Sequence, residues 1–411
     1  MSNTAVEVAV QPASRRRAPA FAFALAAVAI AGLVWWFGPW NAELRYSRMG
    51  MVALKRLAED AGTDRLAWRQ LGLRLARSGD GDMAEPALRH AFELDPSDPE
   101  VATGLGEILT ARKEYPEAEQ VLKAAVNHHP EFSLARMALG RLYRRQGSYG
   151  HALDQFRAVT ERDPGFSDAF YEQAVCYLQL QQVARAQAAV SQALAKVPDD
   201  PNYLSIQASI HAALGNIPGA TQALQLASTR APGDVQIQAN LAKMLLTTGR
   251  GGSDTELAQQ AVERLEALSS THPLLPFLHG QVAVQRQQWH AADEHLREAV
   301  RTTPDLNEAY YALAQVQLRL DRREEAERLL ATYRHRQDLL RRIDELRINL
   351  GNRPGQAELY LELAELQLEL GDRRGAQASA RNAVDLAPDD REVGRRAKQL
   401  EKRIGPKGVS P

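Results

Sequence analysis

Cysteine occurs once in this chain, at Cys176, which rules out an internal disulfide framework and any multi-cysteine zinc site. A lone thiol is compatible with a reducing or an oxidising compartment alike. An excess of charge of either sign is also missing, with 50 Lys and Arg against 51 Asp and Glu and a formal net charge of −1. That balance removes the electrostatic reason to expect nucleic acid or a broadly basic membrane-binding face. Glycine-rich runs are confined to one short stretch near Gly249, and no phosphate-cradling loop, nucleophile elbow or pair of catalytic carboxylates emerges. Strand-like alternation of Val, Ile and Thr is absent too. What remains is a chain of 411 residues rich in Ala, Leu, Gln, Arg and Glu, which reads as helix.

Two combs organise it. Prolines fall at Pro96, Pro130, Pro164, Pro198 and Pro232, and alanines at Ala84, Ala118, Ala152, Ala186 and Ala220, each at an interval of 34 residues. Chance does not place two such series in fixed register. Within the first period, Trp68, Leu71 and Leu75 recur at helical spacing, SGDG breaks the chain, and Ala84, Leu88 and Ala91 mark a second amphipathic helix ending before Pro96. Each period is therefore expected to be a helical hairpin. The alanines sit where two helices cross so closely that only a small side chain fits. The prolines stop the second helix and set the direction of the next hairpin.

Here the chain resembles the tetratricopeptide repeat family. Trp68, Leu71, Gly72, Ala84, Ala91 and Pro96 match its signature, with Leu75 and Leu88 where Tyr and Phe are usual. Later periods supply Leu105, Gly106, Leu109, Ala118, Leu122 and Ala125, then Leu139, Gly140, Tyr143, Ala152 and Phe156. Tyr177, Ala186 and Ala193 follow, then Ala220, Leu224 and Ala227. The resemblance implies an all-α fold: a right-handed superhelical solenoid of about nine repeats over residues 65–390, lined inside by the first helices. The register loosens at Ala258, four residues late after TTGRGGSD, and recovers at Ala292 and Pro304. No proline closes the helix begun at Ala326. With no Gly or Pro from Arg322 to Leu350, one long helix is predicted there, with Leu330, Tyr333, Leu340, Ile343, Leu346 and Leu350 at helical spacing. Tyr360, Leu363, Ala364, Ala376, Ala383 and Pro388 make the last repeat. Residues 41–64 read as a capping helix before the first repeat and residues 391–411 as a charged cap and tail after the last.

With the chain consumed by repeats, no catalytic domain, cofactor or metal is expected. His290, Asp293, Glu294 and His295 have the wrong spacing for a helical zinc pair and read as a solvated face. His128 and His129 lie at a helix C-terminus, and Cys176 reads as a small buried apolar residue. The candidate site is the concave groove. Arg141, Arg144 and Arg145 share one helix face beside Tyr171, Asn240 and Tyr311 lie on first helices of later repeats, and Glu358, Glu362, Glu365 and Glu369 form an acidic stripe. A groove basic toward one end and acidic toward the other would orient an extended peptide; the alternative reading is that both are ordinary solvated faces. The family's chaperone-binding members clamp a C-terminal carboxylate, but Arg69, Leu73, Gly104, Leu134 and Ala138 stand at those positions, which disfavours that ligand class.

Residues 1–17 form a short tail, and 18–38 an apolar span of transmembrane length. It is flanked by Arg15, Arg16 and Arg17 and ends in Trp35 and Trp36, with Trp40 just beyond, as an interfacial belt would. A retained anchor is expected over a signal peptide cleaved at AIA, because cleavage would leave GLVWWFGPW as an exposed terminus. Arg45, Arg48, Lys55 and Arg56 nearly balance the leading arginines. The residues nearest the span favour an extracytoplasmic, periplasmic solenoid, with a cytoplasmic one as the alternative. The whole reads as a bacterial-type, single-pass scaffold that binds a protein or peptide partner, for envelope, secretion or polysaccharide-export assembly. The alternatives are a self-assembling homo-oligomer built through the long helix, and an accessory subunit of an envelope-biosynthetic or cytochrome-maturation enzyme.

Overall fold

The computed structural model describes residues 45–248, 253–352 and 355–404. The expected anchor at 18–38, the tail before it and the centre of the TTGRGGSD turn lie outside the described residues. Among the described residues no helix is long and apolar enough to cross a membrane, and none forms a strand. The chain divides into two compact units that part after Arg112.

The first unit contains α1 (Met51–Ala61), α2 (Arg65–Arg77), α3 (Gly81–Leu94) and α4 (Pro99–Ala111). Helices α2 and α3 form a hairpin, and α1 packs on α2 through the wholly buried Leu54 and Ala58. Asp64, Asp80 and Asp98 each cap the helix that follows by accepting a backbone N–H of its first turn, and Pro99 opens α4 where its missing N–H is harmless.

The second unit opens with α5 (Tyr115–His128). Six hairpins follow: α6 (Ser133–Arg145) with α7 (Tyr149–Arg162), α8 (Ser167–Gln179) with α9 (Val183–Lys196), α10 (Pro201–Ala213) with α11 (Ile217–Arg230), α12 (Val235–Thr248) with α13 (Ser253–Leu268), α14 (Leu275–Gln285) with α15 (Trp289–Thr302), and α16 (Asn307–Arg319) with α17 (Arg323–Asn352). The last hairpin, α18 (Ala357–Leu370) with α19 (Arg373–Leu386), is covered by α20 (Arg391–Ile404) through Val393, Ala397 and Leu400. This is the helical-hairpin solenoid expected from the combs.

Both combs have structural causes. Ala84, Ala118, Ala152, Ala186, Ala220, Ala258, Ala292, Ala326 and Ala376 are all 0% exposed. The opposing helix carries a small residue at matching height, and its size trades against its partner. A Cβ added at Gly72 would lie 2.7 Å from Leu88, one at Gly140 2.5 Å from Phe156, and one at Gly280 2.6 Å from Leu296. Where alanine replaces glycine, the partner shrinks in three hairpins, Val190 opposite Ala174, Val262 opposite Ala242 and Ala380 opposite Ala364, each pair sharing one core. The residue before each proline leaves the helix: Asp95, His129, Asp163, Val197, Ala231, Thr303 and Ala387 have φ from −126° to −149° and ψ from 64° to 89°. Proline forbids the α conformation to its predecessor, so the helix must end there. One period after Pro304 stands Asp338, and α17 runs on for 30 residues.

The C-terminal part of the apolar stripe of the long helix is consumed inside the chain. Leu339, Ile343, Leu346 and Leu350 are buried in one cluster with Tyr360, Leu361, Leu363 and Val393. Leu330, Tyr333 and Leu340, the other residues of the expected stripe, stay partly exposed. The second unit also ties back on itself. Ser148, in the α6–α7 turn, donates to Asn382 of α19, both being buried, and Gln181 donates to Asp344 of α17 at 3.1 Å.

Two outcomes test this packing. Gly140→Ala is expected to cost about 1–3 kcal/mol in urea unfolding, and Phe156→Leu in the same chain to recover part of it, since the extra carbon lands on the Phe156 ring. Gln287 holds a left-handed φ of 58° in the α14–α15 turn, so Gln287→Gly should gain up to about 1 kcal/mol.

Candidate functional site

First helices touch their successors: α2 meets α4, α6 meets α8, α8 meets α10, α12 meets α14, and α14 meets α16. No pair of second helices packs comparably. Within each unit the first helices therefore lie on the inner side, packed on one another from α2 to α4, from α6 to α10 and from α12 to α16.

The charged groups on that surface are largely spent on one another. Arg141 Nε and Arg144 Nε both lie 2.8 Å from the carboxylate of Glu172 on the next first helix, and Glu172 is 4% exposed. Arg145 stays exposed. In the first unit Arg69 reaches Asp98 at 2.9 Å and Glu100 at 3.0 Å. Lys243 of α12 meets Glu308 of α16 at 2.9 Å, across the intervening α14. Burial raises the Glu308 pKa, but the hydrogen bond and charge of Lys243 outweigh it and hold the carboxyl below its ordinary value.

The acidic stripe is countered as well. Arg396 of the capping helix α20 binds Glu358 at 2.7 Å and Glu365 at 3.1 Å, Arg342 lies 3.6 Å from Glu362, and His335 lies 3.4 Å from Glu369. The basic and acidic clusters expected at the two ends of the groove are thus partly offset, each by groups on a neighbouring helix. Each cluster was read from one helix, and its counter-charges sit on a neighbouring one. Tyr171 stacks on Tyr203 at 5.3 Å, and the Tyr203 hydroxyl donates to Asp168 and accepts from Ser167 at 3.0 Å. Burial, then the Asp168 bond, pushes the Tyr203 hydroxyl pKa up. Asn240 accepts a hydrogen bond from Gln236 at 3.0 Å, and Tyr311 is 47% exposed with its ring 5.2 Å from Tyr333.

The sequence also misplaced one acid. Asp293, read as solvated, is 7% exposed and holds Arg297 at 2.7 Å, Arg322 at 2.6 Å and Gln317 at 2.5 Å. It belongs to a recurring device, an acid directly after the comb alanine with a cation four residues on. Glu85 with Arg89 and Arg112, and Glu119 with Lys123 and Tyr143, are its other instances. That spacing is visible in the sequence and is the signal that could have found it. Cys176 is fully buried, and burial pushes its thiol pKa up. Among the described residues no group of three or more His, Cys, Asp or Glu side chains could hold a metal ion.

The chain matches the tetratricopeptide repeat family over residues 75–142, 143–210, 277–338 and 357–390. A comparison with curated proteins finds no match. Among solved structures it is similar to a tetratricopeptide repeat protein of Parabacteroides merdae, at 18% identity over 64% of this chain and 98% of that one, with a TM-score of 0.47. PilF of Pseudomonas aeruginosa aligns at 18% identity over 56% of this chain and 99% of its own, TM-score 0.44. A thermophilic repeat protein of Thermus thermophilus aligns at 23% identity over 44% and 99%, TM-score 0.40.

Glu172→Ala should cost about 1–3 kcal/mol by stranding two arginines, and Arg141→Met with Arg144→Met in the same chain should recover most of it in urea unfolding. The depressed Glu308 carboxyl contributes stability that is fully present above its ordinary value of 4.5 and is lost as pH falls through the lower folded value. Glu308→Gln is expected to flatten that acid limb of a pH–stability profile.

Proposed function

Because the chain belongs to the tetratricopeptide repeat family, a fold that mediates protein–protein interactions, we propose that it is a non-catalytic scaffold holding a protein or peptide partner on its inner surface. The observation that supports this is the contact between successive first helices, α2 with α4 in the first unit and α6 through α10 and α12 through α16 in the second, with no comparable contact between second helices. The apolar span at 18–38 would hold that surface at a membrane, with the repeats on the extracytoplasmic side, where an envelope, secretion or polysaccharide-export assembly is the fitting setting. No step of this reading makes or breaks a bond.

The test is photo-crosslinking of the full chain in native membranes. A crosslinker placed at Gln315, exposed on the first helix α16, is expected to give a discrete adduct with a partner protein. One placed at Arg301, on the second helix α15 with its side chain 77% exposed, is expected to give none. Adducts from Arg301 alone would overturn the assignment of the inner surface. Protease protection of the repeats in sealed membranes reads their sidedness in the same preparation, and deleting residues 18–38 should move the chain to the soluble fraction.

A further inference from the structure

One part of the inner wall is nearly free of charge. Helices α10, α12, α14 and α16 have 13, 14, 11 and 13 residues. Among them are three charged residues, Lys243, Glu308 and Arg319, in a chain where one residue in four is charged. Lys243 and Glu308 neutralise each other, and the Arg319 guanidinium lies over the Trp289 ring at 5.6 Å. Of the second helices between them, α11 carries Arg230 alone, whereas α13 carries Glu256, Glu263, Arg264 and Glu266, and α15 carries Asp293, Glu294, Arg297, Glu298 and Arg301. From α12 to α16, each first helix is therefore much poorer in charge than the second helix it pairs with.

The Lys243–Glu308 pair identifies which side chains face inward. It closes across α14, so residues in repeat register with Lys243 or Glu308 share its side. Gln281 and Gln315 are in register with Lys243, and Asn202 and Gln236 with Glu308. Asn240 lies one turn before Lys243 and takes the Gln236 hydrogen bond. The terminal oxygen of Gln285, one turn beyond Gln281, is buried and accepts no hydrogen bond. Amide side chains thus recur from helix to helix, with exposed apolar surface beside them at Tyr311 (47%) and Leu318 (44%).

We infer that repeats five to eight hold an extended, uncharged peptide segment through its main chain. This rests on the groove reading proposed above and specifies its partner. A side-chain amide offers both donor and acceptor, which matches a peptide main chain and needs no charge on the ligand. Successive helices lie about 8–10 Å apart, close to three residues of extended chain at about 3.3 Å each, so one amide per repeat meets every third peptide group. Tyr311 and Leu318 suit apolar side chains of such a segment. A charged segment would surrender its hydration to a wall where Lys243 and Glu308 are spent on each other and Arg319, over the Trp289 ring, is the one further charge on these four helices. A neutral glycan would find the amides but would leave the apolar surface unused.

The test pans a phage-displayed library of random peptides of about twelve residues, the length that spans four repeats, on the full chain. The enriched pool is expected to be depleted in Asp, Glu, Lys and Arg relative to its input. The consensus peptide should bind with an affinity that changes less than about twofold between low and high salt. Gln281→Ala should weaken it about threefold and Gln281→Glu about tenfold, with unchanged thermal melting, since a carboxylate there meets no partner. A pool rich in charged residues, bound in a strongly salt-dependent way, would overturn the uncharged-segment inference and leave the groove reading standing. Failure of any peptide to enrich would count against the groove reading itself. Binding of maltoheptaose with the same sensitivity to Gln281→Glu, in place of peptide, would overturn the inference in favour of a glycan.

Discussion

Close approach of two helix backbones inside each hairpin is the constraint on which the rest of the molecule depends. The wholly buried alanines and the glycines facing Leu88, Phe156 and Leu296 let the helices interlock. Close-packed interiors leave little slack, so a methyl group at such a crossing is felt as strain. Once the crossing is set, the first helix of each hairpin is committed to the inner side and the second to the outer. The proline-terminated exits then repeat that commitment down the chain. Where the proline is missing, at Asp338, the second helix overruns, and its extra turns become the floor on which the last hairpin packs.

The same geometry explains why charges on the inner surface find partners on neighbouring helices. First helices come within side-chain reach of their neighbours, so an arginine on one finds a carboxylate on the next, as Arg141 and Arg144 find Glu172 and Arg69 finds Asp98. Pairs of this kind between partly desolvated groups favour a specific inter-repeat register more than they add stability. Along repeats five to eight the same surface presents the amides of Asn202, Gln281 and Gln315 and the hydrogen-bonded pair Gln236–Asn240.

The fold was legible in the sequence because its causes are local and periodic. Ala152 and Pro164 report the small crossing and the helix stop at fixed spacing, and every comb alanine is buried as that logic requires. The site was less legible. Arg141 and Arg144 looked like a cationic patch because periodicity reports which residues share a face of one helix, while Glu172 lies 31 residues beyond Arg141 on another. The acidic stripe is likewise partly offset from another helix, by Arg396 on the capping helix. Asp293 was misread because its environment is built by Gln317 and Arg322 of the following repeat. Its short-range signature, an acid after the comb alanine with a cation four residues on, was present in three periods and went unused.

The central claim is that the inner, first-helix surface receives the partner while the second helices serve packing. Hydrogen–deuterium exchange on the full chain, with and without a saturating bound partner, tests it most directly. The account predicts added protection concentrated in α10, α12, α14 and α16, with α11, α13 and α15 unchanged. Protection concentrated in the second helices or in α20, with the first helices unchanged, would contradict it.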